Sequence, residues 1–323
     1  MSKYYQSEKF TYIRHTHGEK LVGGYLRDIE PFLGITPANL GELPAGVDLR
    51  KYLSLVVDHS GVASCSVDAI ASAYEYLLQR HYQIEISLSH WFIYYNARAA
   101  LDNPVEDMGT NLKQAIASLQ KYGACGVEVY ADQPGIINEK PPESVYQAIL
   151  PYVLELPVAV ATNLDSFKFH LAAGYPVAFG LEIFASFGDV AEDGLVVLPD
   201  LERELHLGSH ALLAVGYSDL DEVVIARNAW GVHWGDRGYC YLPYEYFANP
   251  DLLGNAWLLR QHEDLPQTKD HWRSGDSLFY QDDYLEEIDL EPPSDEDFLD
   301  LLEEDSYLSE SELDDLLQPE DVT

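Results

Sequence analysis

Near Tyr152 the hydrophobic rhythm of this chain changes, and the change limits the folds open to it. Between Ser64 and Arg80, the residues Val67, Ile70, Ala73, Tyr74, Leu77 and Leu78 recur at three- and four-residue steps. That spacing predicts a helix with one buried stripe, capped by Ser64. Asn111 to Tyr122 and Ser144 to Leu150 also read as helices. Beyond Tyr152 the pattern becomes short apolar runs separated by turns: Val158-Ala159-Val160, Pro176 to Ile183, His210 to Gly216, Glu222 to Arg227 and Tyr239 to Leu242. Runs of this length and spacing read as strands. A helical half followed by a strand-rich half predicts an α+β fold of two lobes with a cleft between them.

Three short segments carry chemistry. Cys65 opens the predicted helix, and His210 stands in Gly208-Ser209-His210-Ala211-Leu212-Leu213-Ala214-Val215-Gly216-Tyr217. Asn228 begins Asn228-Ala229-Trp230-Gly231-Val232-His233-Trp234-Gly235-Asp236-Arg237-Gly238-Tyr239. Cys, His and Asn in this chain order resemble the papain-like cysteine peptidases. His210 follows Cys65 by 145 residues, within the family's interval of about 130–150, and Asn228 follows Cys65 by 163. The resemblance runs from about Leu43 to Leu259 and includes Leu43-Pro44-Ala45-Gly46-Val47-Asp48-Leu49-Arg50, like the family's mature start. Tyr94-Tyr95-Asn96-Ala97-Arg98, Lys121-Tyr122-Gly123-Ala124-Cys125 and Lys140-Pro141-Pro142 look most like a bacterial branch. The implied architecture is the papain-like two-lobed fold, with Cys65 on the helical lobe and His210 and Asn228 on the strand-rich one. A peptide would lie in the cleft.

The resemblance implies a cysteine peptidase that cleaves peptide or isopeptide bonds through a thioester on Cys65. A thiol must ionise to attack an amide, and the first turn of a helix favours the anion through its free N–H groups and dipole. His210 is the expected proton acceptor and donor. Asn228 is expected to fix its tautomer and orientation, with Trp230 shielding that hydrogen bond from water. Cys125 and Cys240 read as small buried apolar residues.

Where the family has an oxyanion-stabilising Gln, about six residues before the Cys, this chain has His59. His59 is either a working donor or a sign of decay, since losing one such donor costs about a hundred- to a thousandfold in rate. Ser66, Ala63 and Ala229 also depart from the family's usual Trp, Gly and Ser. Asp68, one turn after Cys65, would oppose thiolate formation unless satisfied elsewhere; it also reads as an acid serving the helix dipole. Two alternatives to hydrolysis stay open: an acyl transferase or ligase using the same thioester, and a catalytically weakened papain-fold binding protein.

Charge and composition bound the rest. The chain has 323 residues and a formal net charge of −36. Glu263 to Thr323 holds 23 acidic residues against two basic. That segment is expected to be largely disordered on its own, with Phe298/Leu301/Leu302 and Leu313/Leu316/Leu317 spaced as two short helical turns. It reads equally as a solubilising tail or as a segment that docks a protein partner or folds back over the enzyme. Three domains follow: an N-terminal extension at 1–42, a papain-like catalytic domain at 43–262 and the acidic tail at 263–323. Such charge argues against nucleic acid and against anionic membrane surfaces as partners. The expected substrate is a peptide or protein.

Three cysteines that cannot all pair, no signal-like apolar N-terminal stretch and no spanning run give a cytoplasmic expectation. No cofactor or metal is expected. His206-x-x-x-His210 and His15-x-His17 lack a completing ligand set, and neither a phosphate-binding Gly-rich loop nor a Gly-x-Ser-x-Gly elbow occurs.

Overall fold

The structure is a computed structural model. It describes residues 43–99, 105–133, 135–152, 154 and 156–260, together with the strands at 3–6, 11–17 and 20–22. These three, β1 (Lys3–Gln6), β2 (Thr11–His17) and β3 (Lys20–Val22), form an antiparallel sheet in the order β1-β2-β3. The paired turns expected in the acidic tail lie outside the described residues.

A helical half comes next. After β4 (Gly46–Asp48) follow α1 (Cys65–Tyr82), α2 (His90–Ala99), α3 (Leu112–Tyr122) and α4 (Glu143–Tyr146). The strand-rich half contains β5 (Leu156–Val160), α5 (Leu164–Ala172), β6 (Val177–Phe184), α6 (Ala185–Gly188), β7 (His206–Ser218), β8 (Val223–Arg227), β9 (Tyr239–Pro243), α7 (Glu245–Ala248) and β10 (Leu253–Arg260). Its antiparallel sheet has the order β5-β10-β6-β7-β8-β9, with β4 added against β7. The backbones of β2 and β3 run beside β7 as well. The α+β architecture read from the sequence, a helical half followed by a strand-rich half, is the architecture of the molecule.

The buried character of α1 departs from the one-stripe expectation. Fifteen of its eighteen residues are buried, because α2 and α3 pack on it as well as β6, β7 and β10. The small residues Ser66, Ala69 and Ser72 therefore face protein where an ordinary surface helix would meet water. Ser64 does occupy the N-cap position, but its side chain does not cap the helix. It donates instead to Asp68 Oδ2 at 2.8 Å.

Helix ends elsewhere follow local chemistry. Asn111 and Gln114 form a capping box at the start of α3, and Asn163 accepts from Ser166 N–H to start α5. Helix α2 has no expectation in the sequence because its cap is remote. The Asp132 carboxylate accepts from the backbone N–H groups of His90 and Trp91 and from Ser89 Oγ, each at 3.0 Å. The segment reading expected at Ser144–Leu150 is a single short helix ending at Tyr146.

Strand β7 is the axis on which the sheet is assembled. It pairs with β6 from His206 to Ala214, with β8 from Leu213 to Ser218 across a register shift between Ala214 and Gly216, and with β4 through Gly216, Tyr217 and Ser218. Gly216 makes the last pairing close: a Cβ there would sit 2.2 Å from the Val47 carbonyl oxygen. Arg50, just after β4, is buried and is bound by Asp48 and Tyr241, which locks this segment to β9. Gly216→Ala should therefore force β4 off β7 and lower stability by about 1–3 kcal/mol, read as a lower denaturant midpoint. An unchanged midpoint would mean that the β4–β7 contact contributes little.

Candidate active site

Two segments far apart in sequence are joined by a short antiparallel bridge between Asp58 and Trp230. His59 N–H donates to the Ala229 carbonyl at 2.8 Å, and Gly231 N–H donates to the Val57 carbonyl at 2.9 Å. Gly231 has φ of +78°, and a Cβ there would lie 3.0 Å from the Asp58 side chain. Glycine thus serves both the backbone conformation and the close approach. The bridge sets the loop before α1 against the loop after β8. One cleft results, lined by His59, Val62, Cys65, Asp68, His210, Ala229 and Trp230.

Cys65 is the first residue of α1, in the turn whose N–H groups lack intrahelical partners. His210 lies within β7, opposite Leu181 of β6, and is 2 % exposed. Its Nε2 is 2.9 Å from Asn228 Oδ1. The same oxygen accepts from Ala229 N–H at 2.8 Å, which settles the amide orientation, since the flipped amide would place donor against donor. Nε2 must therefore carry a proton, and a neutral His210 keeps its lone pair on Nδ1. Burial pulls this imidazole down to about 4, against the Asn228 hydrogen bond and the Asp68 charge, which favour the cation. An isolated imidazolium is disfavoured at neutral pH, so the ring is a base there.

Aromatic rings wall off the His210–Asn228 pair. Trp230 lies with its ring centroid 4.9 Å from that of His210 at 35°. Phe187 packs edge-on against Trp230 at 5.7 Å and reaches His210 at 6.0 Å. Asn228 Nδ2 is buried with no hydrogen-bond partner, which costs about 1–3 kcal/mol. Phe187 belongs to the four-residue helix α6, and no sequence motif marks it.

A charged network lies behind Cys65. Asp68 Oδ1 receives His59 Nδ1 at 2.8 Å and His90 Nδ1 at 2.6 Å, while Oδ2 receives Ser64 Oγ. Burial raises the Asp68 carboxyl, but His59 and His90 outweigh it and hold the group well below the usual carboxylate range. Burial likewise opposes charge on His90, and the Asp68 hydrogen bond together with the charges of Asp68 and Glu75 overcomes it, raising the ring to about 10. Glu75 is itself held by Leu88 N–H and Ser54 Oγ. The concern that Asp68 would oppose ionisation of Cys65 is met here: its charge is matched by cationic His90. His90 and Asp132 gave no sequence signal, because each acts on the network from a separate element.

His59, His90 and Asp132 bring three ligand-type atoms within 4.8 Å of one another. Both Nδ1 atoms are committed to Asp68, and the Asp132 oxygens to the start of α2, so hydrogen bonding already accounts for this group. His206 pairs with Glu182 at 2.7 Å and His210 with Asn228, so the two histidines of the His-x-x-x-His spacing serve different partners. Nothing is described of the side chains of His15 and His17. Burial pushes the Cys125 thiol up to about 12, with Asp132 and Glu128 adding to it, and burial pushes Cys240 higher still. Both thiols are poor nucleophiles.

The His90 cation carries a pH signature. Its folded value of about 10 lies above its ordinary 6.5, so the stability it contributes is complete below about 6.5 and is lost as pH rises through about 10. The unfolding free-energy difference between wild type and His90→Gln should shrink over that range. A difference independent of pH would contradict the assignment.

Comparison with known proteins places this geometry. Residues 147–248 match the family model described as papain family cysteine protease. An uncharacterized peptidase C1-like protein of Acanthamoeba polyphaga mimivirus is 31% identical over 235 residues, covering 67% of this chain and 75% of the relative. Xylellain, a cysteine protease from Xylella fastidiosa, superposes with a TM-score of 0.68 at 29% identity, covering 77% of this chain and 99% of its own. A Carica candamarcensis cysteine protease in complex with E-64 has a TM-score of 0.55 at 18% identity, covering 68% and 100%, and shows the fold alone.

Proposed function

Since the chain belongs to the papain family of cysteine peptidases, we propose that it hydrolyses peptide or isopeptide bonds through a Cys65 thioester. The observation that carries this reading is the common cleft of Cys65 and His210, with the His210 ring fixed by Asn228. His210 Nδ1 takes the Cys65 proton as sulfur bonds to the substrate carbonyl carbon. The oxyanion so formed is stabilised by the Cys65 N–H at the helix start and by His59. Collapse expels the amine, which leaves with the proton from His210, and a thioester remains. Water then gives a proton to His210, attacks the thioester and releases the acid, restoring the thiol.

Asn228 keeps the proton on Nε2 throughout, so that Nδ1 faces the reaction. Trp230 and Phe187 keep water from that bond and strengthen it. The substrate is proposed to be a peptide or protein, with its side-chain preference set by the cleft.

Turnover of a fluorogenic peptide library tests the reading. Cys65→Ala should abolish activity, and His210→Ala should lower kcat about 100- to 10 000-fold. Asn228→Ala should lower it about tenfold, the rate equivalent of one hydrogen bond. Activity that survives Cys65→Ala excludes the mechanism. A kcat unchanged in His59→Ala would instead favour the weakened binding protein, with no side-chain oxyanion donor at work.

A further inference from the structure

His59 raises a question of proton count. Asp68 is a carboxylate, an acceptor only, so the His59 Nδ1 that lies 2.8 Å from it must be a donor. In a neutral ring this leaves a lone pair on Nε2, which would repel a developing oxyanion. Only a ring with protons on both nitrogens can bond Asp68 and also donate from Nε2.

A second carboxylate lies near that nitrogen. Nε2 has Asp132 Oδ2 at 3.8 Å, outside hydrogen-bond range but close enough for its charge to attract a cation. The ring is held in place by Trp91 at a centroid distance of 4.2 Å and by His90 edge-on at 5.1 Å. The groups facing it are Asp68 from α1, His90 from α2 and Asp132 from the loop after α3, with Cys65 and His210 sharing its cleft. Among the described residues, the cation beside His59 is His90, whose charge is shared between Asp68 and Glu75. Three carboxylates thus surround two imidazoles.

We infer that Asp68, carried one turn after the nucleophile and steadied by His90, is a positioning residue that keeps His59 as a two-proton ring, so that Nε2–H is a cationic donor to the reaction's oxyanion. A charged donor is about twice as strong as a neutral one, which makes this ring more than a substitute for an amide. The inference rests on the proposed peptidase chemistry, and it assigns Asp68 and His90 to transition-state stabilisation.

The test uses the whole chain with 15N-labelled histidine. The His59 ring is identified by loss of its signals in His59→Gln, and its nitrogen shifts are read at the pH of maximal activity. The expected result is a two-proton ring in wild type and a one-proton ring in Asp68→Asn, whose kcat falls by about 100-fold or more with KM unchanged. Alkylation of Cys65 by iodoacetamide forms no oxyanion, so in Asp68→Asn its rate should change far less than kcat. A purely structural role for Asp68 would slow alkylation and hydrolysis together. A neutral His59 ring in the active wild type overturns the inference, and this reading needs no variant to fold. Wild-type kcat in Asp68→Asn overturns it too. If the wild type hydrolyses no peptide while His59 carries two protons, it is the proposed function that fails.

Discussion

Two backbone hydrogen bonds, His59 N–H to the Ala229 carbonyl and Gly231 N–H to the Val57 carbonyl, hold the helical and strand-rich halves together at the point where they must cooperate. Together with the direct packing of α1 on β7, they set Cys65 at the start of α1 and His210 on β7 to one cleft. The bridge works through the main chain and thus tolerates different side chains at Asp58 and Ala229. Its strict demand falls on Gly231, whose backbone conformation and contact with Asp58 leave no room for a Cβ. The same connection sets Trp230 over His210, so the hydrophobic wall and the cleft arise from one piece of pairing.

Electrostatics then decide how a negative centre is accommodated. The protein carries a large negative charge, yet the cleft sits over a buried group in which Asp68 is met by His90 and His59. A lone carboxylate one turn from Cys65 would disfavour the thiolate. Engaged by two imidazoles and the Ser64 hydroxyl, it becomes a means of orienting them. His210 is treated oppositely: it is enclosed by aromatic rings and bonded to a neutral amide, so it stays basic until it receives a proton from the thiol. The two histidines lining the same cleft have different hydrogen-bond partners, a carboxylate for His59 and a neutral amide for His210.

How much of this was legible in the sequence depended on whether the signal was local. The five strands and helix α1 follow from periodicity, and helix α3 also carries a capping box at its own start. Cys65, His210, Asn228 and Trp230 stood out because their neighbours form recognisable local patterns. Helix α2 was invisible since its cap, Asp132, lies some forty residues downstream. Strand β10 and helix α5 escaped for a simpler reason: short apolar runs without strong turn signals do not declare their type. The single-stripe reading of α1 failed because the pattern of small residues on its other face reports close packing only after α2 and α3 are in place. Asp68 looked like a helix-start acid, and its two imidazole partners come from separate elements that no spacing rule connects.

The convergence of Cys65 and His210 is tested most directly by the pH dependence of alkylation, with the modified residue mapped by peptide mass. A limiting amount of iodoacetamide at pH 6 should label Cys65 and spare Cys125 and Cys240, whose thiols are buried and held protonated. His210→Ala should slow that labelling sharply at the same pH. Equal labelling rates in the two proteins, or modification of Cys125 or Cys240 ahead of Cys65, would contradict the account.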